Sequence, residues 1–234
     1  MSDDTNSSSG FGRGFIIAAI VVVLVVLAGV IVLVSSIIGK PKADPSPHPS
    51  QSVDSAAASV CGLPGYETKS TLTQAPDAKW ALVGTTAAPA SPKVGPGKTA
   101  SDGLRTCFAH TAAGALFAAV NFIATPTDGS LRADIPDLLA DGPGKDVAKN
   151  APPGQPSATR AQVAGFAINK YDGEHATVDV ALNVATSGGQ LVSTPLELVW
   201  EHGDWKVVAT DDGHLPLAPA PLQSLGGYIP WSGA

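Results

Sequence analysis

A long, mainly apolar segment without any charged residue lies between Phe15 and Ile38. A helix rises about 1.5 Å per residue, so about 20 apolar residues are enough to cross the hydrocarbon core of a bilayer. The segment is longer than the apolar region of a cleavable signal peptide, and no A-x-A-like cleavage site follows it. The pattern therefore predicts an uncleaved transmembrane helix over residues 15–38.

The polar segments on either side of this run bear on the membrane topology of the chain. Residues 1–14 form a short tail, and residues 39–59 are rich in Pro, Ser and Ala, which favours an extended polyproline II stalk. Lys and Arg are nearly balanced on the two sides, so the positive-inside rule does not set the direction. Short leading tails commonly stay inside, and the two downstream cysteines favour an oxidising compartment. We therefore expect a single-pass protein of the cell membrane with a cytoplasmic amino terminus and an extracytoplasmic domain.

Helical patterns follow the stalk. Thr111 is suited to cap a helix over Ala112–Ala124, an Ala-rich segment with one apolar face. It is too short to be a second membrane span. Asp134 and Pro136 predict the start of a second, short helix. The preceding residues 60–107 show one short strand around Trp80 and are expected to wrap the domain surface.

Alternating apolar and polar positions are clearest between residues 162 and 210. They predict four strands over residues 162–171, 175–186, 190–202 and 205–210, joined by turns rich in Gly and Asp. The positions expected to face the core are Val178, Val180, Leu182 and Val184 in the second strand and Leu196, Leu198 and Trp200 in the third. Pro195 cannot donate to a ladder, so it requires a bulge or an edge position.

The order of these elements predicts an α+β domain over residues 60–214, with helices packed on one face of a four-stranded antiparallel meander. A Pro-rich tail over residues 215–234 ends with three large apolar side chains, Tyr228, Ile229 and Trp231. Such side chains seldom stay exposed. The tail therefore either docks on its own sheet or contacts a partner protein through these three residues.

Composition narrows the environment and the partners. The 234-residue chain has a net charge of −6 and only 15% charged residues, which argues against a nucleic-acid partner. Abundant Ala, Gly, Val and Pro with sparse Lys are typical of GC-rich genomes and suggest an actinobacterial source. Cys61 and Cys107 most simply form one disulfide outside the membrane. Two buried free thiols are the alternative.

The candidates for chemistry are few. The strand carboxylates Asp179, Glu197 and Glu201 alternate with core-facing side chains, which places them on the solvent face rather than in a site. The five histidines lack paired metal spacing and are expected at the surface or at caps. The Gly-rich pieces are turns and not phosphate loops. We therefore predict no catalytic residue, no cofactor and no metal, and the protein is not expected to be an enzyme.

The final hairpin, residues 200–208, combines a small turn with a Trp-Lys-Val strand. Together with the helices and long strands before it, this hairpin resembles the cone-shaped nuclear-transport-factor-2-like fold of the SnoaL and ketosteroid-isomerase-like proteins, over about residues 105–212. A short tail, an anchor, a stalk and this fold together resemble TcpC-type scaffold subunits of conjugation and type IV secretion machines. Similarity to uncharacterised membrane proteins of actinomycete integrative elements rests on Trp80, Pro89, Gly95, Pro96, Cys107 and residues 110–115.

The resemblance implies a membrane-anchored structural or interaction subunit of a cell-envelope complex, such as a conjugation or secretion scaffold. Its partners would be the lipid bilayer, envelope proteins and a second copy of the chain. The alternatives are a small-ligand-binding module that uses the cone cavity and an isomerase- or hydratase-like enzyme. An empty apolar cavity would favour ligand binding, an inward carboxylate would favour the enzyme, and a filled domain with an exposed apolar edge would favour interaction.

Overall fold

The computed structural model describes residues 58–152, 155, 157–185, 188–214 and 219–233. The predicted cytoplasmic tail, the predicted transmembrane run and nearly all of the predicted stalk lie outside these described residues. Within them, no helix is both long enough and apolar enough to cross a membrane. The fold below belongs to the part of the chain from Ser52 onwards, which forms one compact unit.

The described residues form one main sheet, two small strand pairs and a few helices. The strands are β1 (Lys79–Val83), β2 (Thr86–Ala90), β3 (Lys98–Thr99), β4 (Arg105–Thr106), β5 (Ala161–Tyr171), β6 (His175–Val184), β7 (Gln190–Glu201), β8 (Asp204–Val207), β9 (Ala220–Pro221) and β10 (Ile229–Pro230). The helices are α1 (Ala112–Ala124) and α2 (Pro143–Asn150), with 3₁₀ helices over Thr125–Thr127 and Gly129–Leu138. The main sheet is antiparallel in the order β10-β5-β6-β7-β8, and β9 also pairs with β7.

This architecture corrects the predicted fold class. The four long strands lie close to their predicted bounds, but the main sheet has six strands and the described domain is mostly sheet. The additional strands β9 and β10 come from the Pro-rich carboxyl-terminal residues, which show no alternation and therefore gave no strand signal. Proline is tolerated at the edge positions that these two strands occupy. The predicted cone of helices on a four-stranded meander is therefore wrong.

Helix α1 is buried between the main sheet and the β1–β2 hairpin. Every residue of the helix except Ala113 is buried, so the helix packs on more than the one apolar face that the sequence predicts. The predicted bounds are confirmed, and the Thr111 hydroxyl caps the helix by accepting a hydrogen bond from the Gly114 nitrogen at 3.0 Å. The helix contacts β2 on one side and four strands of the main sheet on the other.

The second helix differs from its prediction. Residues Gly129–Leu138 form a 3₁₀ helix that starts earlier, and Asp128 rather than Asp134 caps it by accepting from the Ser130 nitrogen at 2.9 Å. Pro136 lies inside this helix and has no N–H to donate to the preceding turn. The 3₁₀ helix ends at Leu138, before α2 begins.

Pro195 occupies the outer edge of β7. The carbonyl oxygens of Leu191 and Glu197 accept from Leu222 and Val208 on that outer side. Because the N–H and C=O groups of every second residue point to the same side of a strand, the Pro195 nitrogen points there as well. It falls between the residues of β7 that pair with β9 and those that pair with β8, so the missing N–H interrupts no ladder.

The segment that precedes α1 is held against the turn between β7 and β8. The predicted disulfide is confirmed, because Cys61 and Cys107 are bonded with their Cα atoms 6.2 Å apart. Beside it, the buried carboxylate of Asp204 accepts hydrogen bonds from the backbone nitrogens of Cys107, Phe108 and Trp205, each at 2.9 Å. The disulfide and this carboxylate together hold the chain on both sides of Cys107.

Candidate functional site

A half-open cavity of about 370 Å³ lies at the end of the main sheet where β5 begins, β6 ends and β7 begins. The strand register brings these ends together, since Ala161 pairs with Val184 and Leu182 pairs with Val192. Ile123, in the last turn of α1, closes the cavity on the helix side. Its walls are mostly apolar, and its size falls within the range of small-molecule pockets.

The rim beside α1 is held by Thr127. Its hydroxyl accepts from the Thr85 nitrogen at 3.1 Å and can donate to the carbonyls of Ala124 and Val83, which lie 2.6 and 2.9 Å away. Gly84 has a left-handed φ of 57°, and a Cβ at this position would clash with the Thr127 backbone. Glycine therefore allows the β1–β2 turn to press against the 3₁₀ helix and shape the rim.

Two polar groups at the cavity have no hydrogen-bond partner among the described residues. The side chains of Thr86 and Thr194 line it and are only 1% and 3% exposed. Neither hydroxyl oxygen makes a hydrogen bond to a residue that the structure describes. A buried polar group without a partner costs about 1 to 3 kcal/mol, so most buried groups are paired. These two hydroxyls therefore require an explanation that packing alone does not supply.

The chemistry that the cavity offers is simple. No ionisable side chain is among the described residues that line it. Apolar walls can exclude water from a ligand, and a threonine hydroxyl can both donate and accept a hydrogen bond. The arrangement is therefore suited to binding and orienting a molecule.

The strand carboxylates differ from one another. Asp179 was expected on the solvent face, but it is only 8% exposed, whereas Glu197 is exposed. The Asp179 carboxylate accepts from the Ser193 hydroxyl at 2.7 Å, the Thr194 nitrogen at 3.0 Å and the Tyr228 hydroxyl at 2.8 Å. The carboxyl-terminal residues cover this face of the sheet, which the alternation of β6 alone could not reveal. Burial raises the pKa of Tyr228, and the bond to Asp179 acts in the same direction.

The residues predicted as partner contacts lie against their own domain. Tyr228 and Ile229 are half-buried, and Ile229 pairs with Phe166 on β5. Trp231 is 7% exposed and packs against Trp80. Of the two possibilities for the tail, the structure therefore shows docking on the domain for Trp231.

Another buried polar group, His110, lies in an aromatic cluster near the amino-terminal end of α1. His110 was expected at the surface or at a cap, but it is fully buried. Its Nε2 donates to the Gly173 carbonyl at 2.6 Å, and its ring stacks on Trp200 at 3.8 Å. The Tyr171 hydroxyl donates to the Glu67 carbonyl at 3.1 Å, and burial raises the pKa of Tyr171. These bonds join the β5–β6 hairpin to the segment before α1.

An acidic and histidine cluster lies at the surface near α2. The possible ligand atoms of Asp141, Glu201 and His202 are within 4.8 Å of one another. Asp141 accepts from the Lys145 ammonium at 2.8 Å and pairs with the His202 Nε2 at 2.9 Å, and Glu201 accepts from the Asp141 nitrogen at 2.9 Å. The hydrogen bonds from Lys145 and His202 lower the pKa of Asp141 to about 2. Because Lys145 already neutralises Asp141, the geometry is that of a surface ion-pair network.

The sequence did not predict a role for either cavity threonine, but the pattern of β7 contains a signal for Thr194. Thr194 lies two residues before Leu196, so it continues the core-facing positions of β7 that include Leu198 and Trp200. A polar residue in such a series is a candidate for a buried group with a special role. Thr86 follows a turn in a short strand, and nothing in the local pattern marks it.

Comparison with known proteins gives one match. A family model described as a domain of unknown function, DUF8175, matches residues 40–230. No curated protein and no solved structure matches the chain. The match covers nearly all of the described residues and most of the predicted stalk, so the strands and helices above belong to the matched region.

Proposed function

The chain belongs to the DUF8175 family, and we propose that it binds a small, mainly apolar molecule in the cavity beside Thr86 and Thr194. The observation that supports this function is the coincidence of apolar walls with two buried hydroxyls that have no partner among the described residues. A bound molecule can satisfy both, because a threonine hydroxyl can donate to or accept from a ligand oxygen. Ligand binding is one of the alternative functions that the sequence predicts, and this proposal assigns it to a specific cavity.

The proposed setting is the outer face of a cell membrane. The uncharged run over residues 15–38 is long enough for a membrane anchor, and the disulfide between Cys61 and Cys107 is typical of proteins outside the cytoplasm. Protease added to intact cells should digest the domain that carries the cavity. Protection of this domain until the cells are lysed would contradict the setting.

Photolabelling of the full chain tests ligand binding directly. We would incubate the protein in detergent micelles with an alkane of roughly ten carbons that carries a diazirine, irradiate it and map the labelled peptides by mass spectrometry. Labelling should fall on β6 and β7 near Leu182 and Val192. The half-buried Val192 lines the cavity, so Val192→Trp should block labelling.

A matched variant separates blocking from general damage. Val208 directly follows β8, is 37% exposed and does not line the cavity. Val208→Trp introduces the same side chain and should leave labelling near Leu182 unchanged. If the wild type is not labelled in the cavity, or if both variants lose the label equally, the proposed function is wrong.

A second candidate function has one observation in its favour. Leu82 is 73% exposed on β1, and β1 pairs only with β2 among the described residues. An exposed strand edge with an apolar side chain can pair with another chain, as an interaction subunit of an envelope complex would need. Crosslinking of the full chain in its own membranes should recover secretion-channel proteins and should recover fewer with Leu82→Asp. Recovery of the chain alone from both samples would remove this candidate.

A further inference from the structure

We infer that the ligand is an uncharged molecule with an apolar body and at least one hydroxyl or carbonyl oxygen, which the hydroxyls of Thr86 and Thr194 recognise. This inference rests on the proposed function and specifies the chemical class of the ligand. Three features of the cavity support it: its size, its lack of charge and the position of its two hydroxyls.

The volume sets the size of the molecule. A water molecule in the liquid occupies about 30 Å³, so a cavity of about 370 Å³ holds a ligand of the order of a dozen heavy atoms. Ile123, Leu182 and Val192 contribute the apolar surface around it. A chain or ring system of this size with one or two oxygens fits both the volume and the mainly apolar lining.

The lining of the cavity disfavours an anionic ligand. No Lys, Arg or His is among the described residues that line the cavity, so a buried carboxylate or phosphate would have no counter-ion there.

The hydroxyls can reach a ligand oxygen. Both threonine oxygens are buried and make no hydrogen bond among the described residues, so each must rotate to meet a ligand in the cavity. In threonine the hydroxyl and the methyl group are both attached to Cβ, so rotation about χ1 exchanges their positions. A ligand oxygen then offers a hydrogen bond in either direction, because the threonine hydroxyl can donate or accept.

Three diazirine probes of equal length test this class: an alkane, the corresponding primary alcohol and the corresponding carboxylate, used at a pH where the carboxylate is ionised. In the full chain, the alcohol should reach half-maximal labelling of the cavity peptides at a concentration about tenfold lower than the alkane, the ratio expected for one net hydrogen bond. The carboxylate should label these peptides most weakly. The Thr86→Val, Thr194→Val double variant should lose the preference for the alcohol and keep labelling by the alkane.

Thr73→Val is the control, because Thr73 is exposed to solvent and does not line the cavity. It should retain the preference for the alcohol. Equal labelling by alcohol and carboxylate, or an alcohol preference that survives in the double variant, would overturn the inference. The alkane separates this outcome from failure of the proposed function, since an alkane that labels the cavity supports binding even when the alcohol gains nothing.

Discussion

The indole ring of Trp231 lies against the indole ring of Trp80, with ring centroids 4.7 Å apart. Trp231 also contacts Phe117 of α1 and Phe166 of β5, at centroid distances of 5.4 and 5.6 Å. Its Nε1 donates to the Pro76 carbonyl at 3.0 Å. One side chain near the end of the chain therefore joins the β1–β2 hairpin, the central helix and the main sheet.

Replacing this ring should destabilise the whole domain. Trp231→Ala removes a large buried side chain between three elements, and such changes cost about 3 to 5 kcal/mol. Urea unfolding followed by circular dichroism should show a lower transition midpoint than the wild type. Leu82→Ala is the control, because Leu82 is 73% exposed and its truncation should change the free energy of unfolding by less than about 0.5 kcal/mol. Equal midpoints for Trp231→Ala and the wild type would show that the tail is detached in solution.

Asp204 should be as important as a large core side chain. Its carboxylate accepts from three backbone nitrogens, those of Cys107, Phe108 and Trp205. Asp204→Asn keeps the size, removes the charge and presents an amide N–H to one of these donors. We expect a loss of about 2 to 3 kcal/mol in the free energy of unfolding. Asp137→Asn, at an exposed position, should have little effect in the same urea titration; a similarly small effect for Asp204→Asn would contradict this assignment.

The sequence predicted those parts of the fold that depend on local patterns. Helix α1 and its Thr111 cap were predicted because capping and helix propensity act over one or two turns. The positions of Val178, Val180 and Leu182 followed from strand alternation, and they are buried as expected. Local signals of this kind remain readable because each depends on residues that are neighbours in the chain.

The features that were missed depend on contacts between distant segments. Strand β10 exists because Ile229 and Pro230 reach Phe166 and Gly165 on β5, which no local pattern records. Asp179 is buried because Tyr228 covers it from the carboxyl-terminal tail. The cavity combines the ends of three strands with a helix end and a hairpin, so its location follows only from the tertiary structure.

The surface network around Asp141 predicts a pH effect. The folded-state pKa of Asp141 is about 2, below its ordinary value of 3.8, mainly through the hydrogen bond from Lys145. Because the pKa is lower in the folded state, the contribution to stability is fully present above pH 3.8 and is lost as the pH falls through about 2. Lys145→Met should raise the Asp141 pKa in an NMR titration of side-chain carboxyl carbons. Lys149→Met, at an exposed position of α2, should leave it unchanged; equal pKa values in all three proteins would contradict the network.

The two cavity threonines should also affect stability without a ligand, and in an unusual direction. Thr86→Val and Thr194→Val each replace an unpaired buried hydroxyl by a methyl group of similar shape. Removing the desolvation cost should increase the free energy of unfolding by about 1 kcal/mol for each variant. Thr127→Val is the opposite control, because the Thr127 hydroxyl accepts from Thr85 and donates to a carbonyl, so its loss should be destabilising.

The sign of the change distinguishes a binding site from ordinary packing. Thermal unfolding of the full chain should give higher midpoints for Thr86→Val and Thr194→Val than for the wild type, and a lower one for Thr127→Val. If the first two variants are also destabilised, their hydroxyls have partners in the free protein and are not reserved for a ligand. Adding the alcohol probe should raise the unfolding midpoint of the wild type more than that of either valine variant, because a ligand that binds more tightly stabilises the folded state more strongly. Higher stability together with weaker binding is the combination expected when a protein keeps an unfavourable group for a ligand.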